Sequence, residues 1–161
     1  ATLLAPGLLA PVPDLAAATQ PAPGYVRPDL APSGRPWPTH SGYVDGYVQL
    51  NRGGASEVLV DNSRSEVDMF AKLVALDGPA PTPVRTFYLA AHSRFTLSGL
   101  PSGTYDLRYR NLASGTLARS PAFILEDIAT PHGVQHGSMT VLLYQAATGN
   151  MLSYSLPEAD F

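Results

Sequence analysis

Cysteine is absent from this chain of 161 residues, and charged residues are scarce. Without cysteine the chain has no disulfide, no thiolate nucleophile and no zinc site built from cysteine. Only 14% of its residues are charged, and the net charge of −3 argues against binding nucleic acid or an anionic membrane through a basic field. A surface with few charges also repels copies of itself weakly, which favours association with other chains.

Long apolar runs are absent as well, so the sequence predicts no transmembrane segment. The numbering begins at Ala1 without an initiator methionine. We interpret this start as a processed N-terminus, which predicts export to the extracellular space or the cell envelope. A trimmed sequence is the alternative interpretation.

Proline, in contrast, is abundant, and nine of the 16 prolines lie within residues 1–41. Proline at this density disfavours helices and central strands and favours extended polyproline segments. Because the segment is less polar than a typical linker, we predict an arm that docks on its own domain or on a neighbour, with a plain linker as the alternative. The apolar side chains expected to make the contacts are Leu3, Leu4, Leu8, Leu9, Val12, Leu15, Tyr25, Val26 and Trp37.

Residues 42–161 read as a succession of short strands separated by turns rich in glycine and proline. We predict an all-β domain, an antiparallel β-sandwich of about seven to nine strands, with no amphipathic helix between them. The predicted strands cover residues 42–50, 57–61, 68–76, 84–90, 95–97, 104–110, 117–125, 139–146 and 151–156. Pro121 is expected to break the seventh strand, and residues 126–137 are predicted to form a loop.

The clearest pattern is a strand, a turn and a second strand over residues 95–112. Pro101 and Gly103 suit the turn, and Tyr105, Leu107 and Tyr109 then alternate with charged residues. The alternation predicts one face in the core and one charged outer face. The candidate outer-face contacts are Arg85, Asp106, Arg108, Arg110 and Arg119. They are interpreted either as cross-strand ion pairs or as a face that recognises an anion or a glycan.

The run Phe95-Thr96-Leu97, followed by Leu100-Pro101 and by Gly103-x-Tyr105-Asp106-Leu107-x-Tyr109, resembles transthyretin-like, or carboxypeptidase-regulatory-like, β-sandwich modules. Over about residues 42–161 the chain is similar to an uncharacterised bacterial envelope-associated domain that follows a proline-rich segment. The second resemblance rests on residues 42–47, 60–63, 84–88, 105–110, 149–151 and 158–161. Together the resemblances imply a prealbumin/Ig-like sandwich and a non-enzymatic module, with no catalytic residues to transfer.

No residue set predicts a catalytic site, a metal site or a cofactor. His132 and His136 are four residues apart, but the proline and glycines around them disfavour the helix that would aim both at one metal. His92 and Ser93 lack the nucleophile-elbow motif of a hydrolase. Four acidic residues lack the regular alternation of a calcium loop, namely Asp61, Glu66, Asp68 and Asp77.

For function, the sequence favours a structural module that self-associates. An arm of roughly 40 residues could extend about 120 Å as a polyproline helix, which is enough to reach a neighbouring copy. The expected partners are therefore copies of this chain, in an extracellular or envelope polymer. The alternative is a tethered binding module that recognises a glycan or another envelope protein through the sandwich face or its loops.

Overall fold

The structure, a computed structural model, describes residues 24–143 and 154–161, which form strands, turns and one short 3₁₀ helix. The longer strands are rich in β-branched and aromatic residues, which suit a pleated and half-buried surface. The strands are β1 (Gly42–Tyr43), β2 (Ser56–Asp61), β3 (Met69–Ala75), β4 (Thr82–Leu89), β5 (Arg94–Leu100), β6 (Gly103–Asn111), β7 (Leu117–Arg119), β8 (Phe123–Leu125), β9 (Ile128–Thr130), β10 (Gly133–Gln135), β11 (Ser138–Leu142) and β12 (Tyr154–Ser155). The 3₁₀ helix covers Glu158–Asp160.

Two packed sheets form the sandwich, which confirms the predicted all-β fold. The larger sheet has the order β1-β4-β3-β6-β7-β12, with β8 paired to the start of β6, and all of its pairs are antiparallel. The smaller sheet has the order β11-β2-β5, and its β11–β2 pair is parallel. Strands β9 and β10 form a separate exposed hairpin.

The main core lies between the two sheets and is built from alternate residues of their strands. Leu73 of β3 lies opposite Leu107 of β6, and both are fully buried. Tyr105 and Tyr109 are buried on the same inner face, so the core positions predicted from the alternation are confirmed. The smaller sheet contributes Val58, Val60, Leu97, Leu100 and Val141.

Several element boundaries differ from the sequence prediction. Strands β5 and β6 belong to different sheets, so the turn at Pro101 carries the chain across the sandwich rather than closing a hairpin. Residues 126–137, predicted as a loop, contain the β9–β10 hairpin, whose short exposed strands give a weak sequence signal. The predicted first strand is paired regularly only at Gly42–Tyr43, although Val44 and Leu50 still donate to main-chain oxygens of β4.

Two other predictions concern the second half of the chain. The break at Pro121 is confirmed, since β7 ends at Arg119 and β8 begins at Phe123. The last two predicted strands correspond to β11 and β12, but residues 144–153 lie outside the described part of the chain.

Candidate functional site

The outer face of the larger sheet, which points away from the smaller sheet, carries the candidate site. Directly opposite residues of antiparallel strands point to the same face, so the strand register defines rows of side chains across it. One row consists of Tyr88, Phe70 and Arg110. The next row consists of Thr86, Lys72, Arg108, Arg119 and Tyr154. We call Lys72, Arg108 and Arg119 the basic row.

Residues 24–41, the described part of the predicted arm, pack on this outer face of the same chain. The Tyr25 hydroxyl donates to the main-chain oxygen of Leu112 over 2.9 Å. Its ring covers Gly115, where a Cβ atom would lie 2.4 Å from the ring, so Gly115 is needed for this close approach. The indole nitrogen of Trp37 donates to the main-chain oxygen of Pro28 over 3.0 Å, which holds the segment in a compact loop.

An aromatic cluster lies beneath this loop. Trp37 packs against Phe70 and Tyr88, with ring centroids 5.3 Å and 5.8 Å apart. Tyr47 and Phe161 also contact Phe70, at 5.9 Å and 5.6 Å. Such pairs add about 0.5–1.5 kcal/mol each to simple area burial. We call Trp37, Tyr47, Phe70, Tyr88 and Phe161 the outer cluster.

An ion pair fixes the start of the segment. Arg27 donates to the Asp68 carboxylate over 2.7 Å, and both side chains are partly exposed. Burial by itself would raise the pKa of Asp68, yet hydrogen bonds from Arg27 and from the Ala91 N–H hold that pKa below its ordinary value. Asp68 therefore stays charged and keeps attracting Arg27 over most of the accessible pH range.

Residues Glu158–Phe161, which we call the acidic segment, cover the neighbouring part of the same face. Arg108 donates to the main-chain oxygen of Asp160 over 2.8 Å, and Lys72 donates to the main-chain oxygen of Phe161. Glu158 accepts a hydrogen bond from Arg110. The Phe161 ring lies 4.3 Å from the Lys72 ammonium, within the range of a cation–π interaction.

The electrostatics of this region reflect its concentration of positive charge. Lys72 lies directly opposite Arg108, and Arg108 lies directly opposite Arg119, although like charges in that position destabilise a sheet. Burial, followed by repulsion from Arg110, holds the pKa of Lys72 below its ordinary value, and Glu158 opposes that shift. The Asp106 carboxylate neutralises Arg108 through contacts of 2.9 Å and 3.2 Å.

The predicted outer-face contacts divide into two groups. Arg108, Arg110 and Arg119 do lie on this face, and Asp106 does too, although it is buried beneath Arg108 rather than exposed. The prediction for Arg85 is wrong. It lies opposite Leu73 on the inner face and is only 1% exposed.

Arg85 can be buried because main-chain oxygens at the open edge of the sandwich surround its guanidinium group. Charge alone suggested an outward position, whereas the alternation of β4 places Arg85 on the same side as Phe87. Its two terminal nitrogen atoms donate to the main-chain oxygens of Leu50, Asn51, Val84, Ser98 and Gly99. Arg85 therefore links the edge of the smaller sheet to the larger sheet.

The predicted arm contacts are only partly within the described residues. Tyr25 and Trp37 contact the sandwich as set out above, whereas Val26 is 81% exposed and contributes little to docking. The remaining predicted contacts lie outside the described residues, namely Leu3, Leu4, Leu8, Leu9, Val12 and Leu15.

The other candidates from the sequence do not assemble into a site. Within residues 24–143 and 154–161, no group of three or more acidic or histidine side chains is placed to hold a metal ion. His136 contacts Asp127 over 3.0 Å in the exposed hairpin region. The tyrosines in the described part of the chain are all buried or half-buried, which does not favour a sugar-stacking platform. No helix in the described residues is long and apolar enough to cross a bilayer.

Sequence reasoning missed the residues that complete the site. The apolar pattern of residues 68–76 predicts a central strand, in which Lys72 is expected near an edge or with its charge reaching solvent. The structure places it in the central strand β3, beneath Phe161. A lysine in the middle of a strand that is apolar on both faces is the signal that could have indicated a docked segment above it.

Comparison of the chain with protein-family models, with curated proteins and with solved structures gave no match. The resemblance to transthyretin-like modules therefore stays a prediction. The outer face and the segments that cover it are the basis for the proposals that follow.

Proposed function

We propose that this chain is a non-catalytic structural module whose copies assemble when residues 1–41 of one copy dock on the outer face of the next. The observation that carries the proposal is the docking of residues 24–41 on the outer face through Tyr25, Arg27 and Trp37. The same contacts are available to the arm of a neighbouring copy. Exchange of an identical element between copies is a low-cost route to association.

The connection between arm and sandwich is compatible with exchange. The arm enters the larger sheet through β1, which pairs with β4 at only two positions, Gly42 with Tyr88 and Tyr43 with Phe87. The arm's ion pair, Arg27 with Asp68, is partly exposed, and exposed pairs contribute only about 0–1 kcal/mol. Opening the arm therefore costs little compared with opening the main core.

The geometry of the assembly follows from the two surfaces involved. The donating arm and the receiving face are different surfaces, so a one-way contact is heterologous and produces rings or open filaments. A reciprocal exchange would instead close a dimer. We place this assembly in the extracellular space or the cell envelope, as the sequence resemblance implies.

Static light scattering on the full chain and on a chain lacking residues 1–41 tests the proposal. We expect the full chain to have several times the mass of one copy, with rings or fibres visible by electron microscopy, and the shortened chain to be monomeric. Val26→Ala is the matched control, because that side chain is exposed and should leave the mass unchanged. Assembly that survives the deletion, or a full chain that is monomeric, would contradict the proposal.

A further inference from the structure

The basic row places like charges opposite one another, and the packing of the sandwich does not require them. Lys72, Arg108 and Arg119 lie directly opposite one another on three adjacent strands, where like charges repel. Arg110 adds a fourth positive charge on the same face. The inner core would be the same with neutral residues at these four positions, so their charge points to a ligand.

Most of the atoms that compensate this charge come from outside the three strands that carry it. Asp106 neutralises the charge of Arg108, and the Tyr154 ring lies 4.8 Å from the Arg119 guanidinium. Main-chain oxygens of Gly115 and Ser120 accept from Arg110 and Arg119. The acidic segment adds Glu158 to Arg110, and its main-chain oxygens accept from Lys72 and Arg108. Its Phe161 ring fits between Lys72 and Phe70.

We propose that the outer face holds a peptide-binding site for an acidic segment that carries an aromatic residue, and that its occupant in an assembly is the acidic segment of a second copy. The receiving side chains are Phe70, Lys72, Arg108 and Arg110. The docking seen within one chain is then the same interaction made with the chain's own segment. This proposal rests on the proposed function in one respect, that copies of the chain associate, but it concerns a different segment.

Part of what holds the acidic segment in its own chain is exposed or short. The Glu158 side chain is 74% exposed, and β12, which precedes the segment, pairs with β7 at only Tyr154 and Ser155. An exposed ion pair and a two-residue strand offer little resistance to release. An identical segment at high local concentration can therefore compete for the site.

The length of chain before the segment permits exchange. Leu143 is hydrogen-bonded to Asp61 in the smaller sheet, and Tyr154 pairs with β7 at the edge of the larger sheet. The ten residues between them could span about 33 Å if fully extended. That reach is comparable with the diameter of a domain of this size, so the segment could reach a copy that packs beside this one.

Peptide binding tests the site directly. The probe is a labelled peptide with the sequence of residues 153–161, followed by fluorescence anisotropy with the full chain and with the full-length variant Glu158→Arg, whose own segment is weakened. We expect the peptide to bind Glu158→Arg at least tenfold more tightly than the unaltered chain, and to lose that affinity when Arg110→Gln is added, which leaves no ion pair at this position. Arg52→Glu is the matched control, since Arg52 is exposed in a loop at one end of the sandwich.

A mixing experiment tests whether the occupant of the site is the acidic segment of a second copy. The Arg110→Glu variant has a damaged site and an intact acidic segment. The Glu158→Arg variant has an intact site and a damaged acidic segment. Mixed in equal amounts, the two full-length variants should associate more than either does alone, as measured by energy transfer between labelled copies. Arg110→Gln, which removes the charge without reversing it, replaces Arg110→Glu if that variant fails to fold.

The outcomes separate this proposal from the one before it. Failure of the peptide to bind any variant overturns the site, whatever the light-scattering result for the arm. If the peptide binds but the mixed variants do not associate, the claim that a second copy supplies the occupant is overturned. Peptide binding together with association in the mixture supports both parts, even if deletion of residues 1–41 leaves the mass unchanged.

Discussion

The two faces of the larger sheet are built in different ways from the same strands. The inner face is closed by a second sheet, and its side chains, such as Leu73, Phe87 and Leu107, are fully buried. The outer face is closed by two short segments, residues 24–41 and the acidic segment, which contact it through a few aromatic rings and hydrogen bonds. The inner face is therefore covered by strands of a second sheet, whereas the outer face is covered by two segments that we propose can be exchanged between copies.

The inner face should show the largest effect of a single substitution. Phe87→Ala removes a fully buried ring from the main core, and we expect it to lower the free energy of unfolding by about 3–5 kcal/mol. Chemical denaturation followed by circular dichroism measures this loss. Ile124→Ala, at a side chain that is 65% exposed, should change stability by less than about 0.5 kcal/mol. A small loss for Phe87→Ala would contradict the assignment of the main core.

Arg85 offers a second way to test the inner face. Arg85→Met keeps much of the side-chain volume but leaves main-chain oxygens of Leu50, Asn51 and Ser98 without their Arg85 donor. Because unsatisfied buried acceptors are costly, we expect a loss of roughly 2 kcal/mol or more in the same denaturation experiment. Arg85→Lys should recover part of that loss, since it restores a charge but not the planar fork. Full stability of Arg85→Met would show that these bonds contribute nothing.

A substitution on the outer face should destabilise only the segments docked there. Trp37→Ala removes two ring contacts, to Phe70 and Tyr88, and we expect a loss of about 1–3 kcal/mol from them. The consequence should be faster amide hydrogen exchange in residues 24–47, with β3 and β6 unchanged. Val26→Ala serves as the control and should leave exchange unaltered. Equal acceleration throughout the sandwich would mean that the two faces are not energetically separate.

The smallest effect should come from acidification. The pKa of Asp68 is lowered in the folded chain, so its contribution to stability is complete above its unfolded pKa of about 3.9 and is lost as the pH falls through the lower, folded value. We therefore expect hydrogen exchange around Arg27 to accelerate only below about pH 4. Asp68→Asn should abolish this pH dependence, and a transition near neutral pH would contradict the role of the ion pair.

The strand alternation predicts the inner face well and the outer face poorly. Tyr105, Leu107 and Tyr109 are buried as expected, because a period of two in an apolar pattern directly reflects the two faces of a strand. The segments that cover the outer face are distant in sequence from the strands they contact, and no local pattern encodes that contact. Arg85 lies at an inward position of the β4 alternation, but the main-chain oxygens of loops and of β5 that allow its burial meet only in the fold.

Cross-linking between copies tests the central claim, that the outer face accepts a segment from a neighbour, most directly. The chain has no cysteine, so single cysteines can be placed at will, and Arg27 and Asp68 are in contact when the arm is docked. R27C and D68C variants, mixed and treated with a short bismaleimide, should give covalent dimers that neither variant gives alone. Cross-linking that occurs only within a single chain carrying both substitutions, and never in the mixture, would contradict the account.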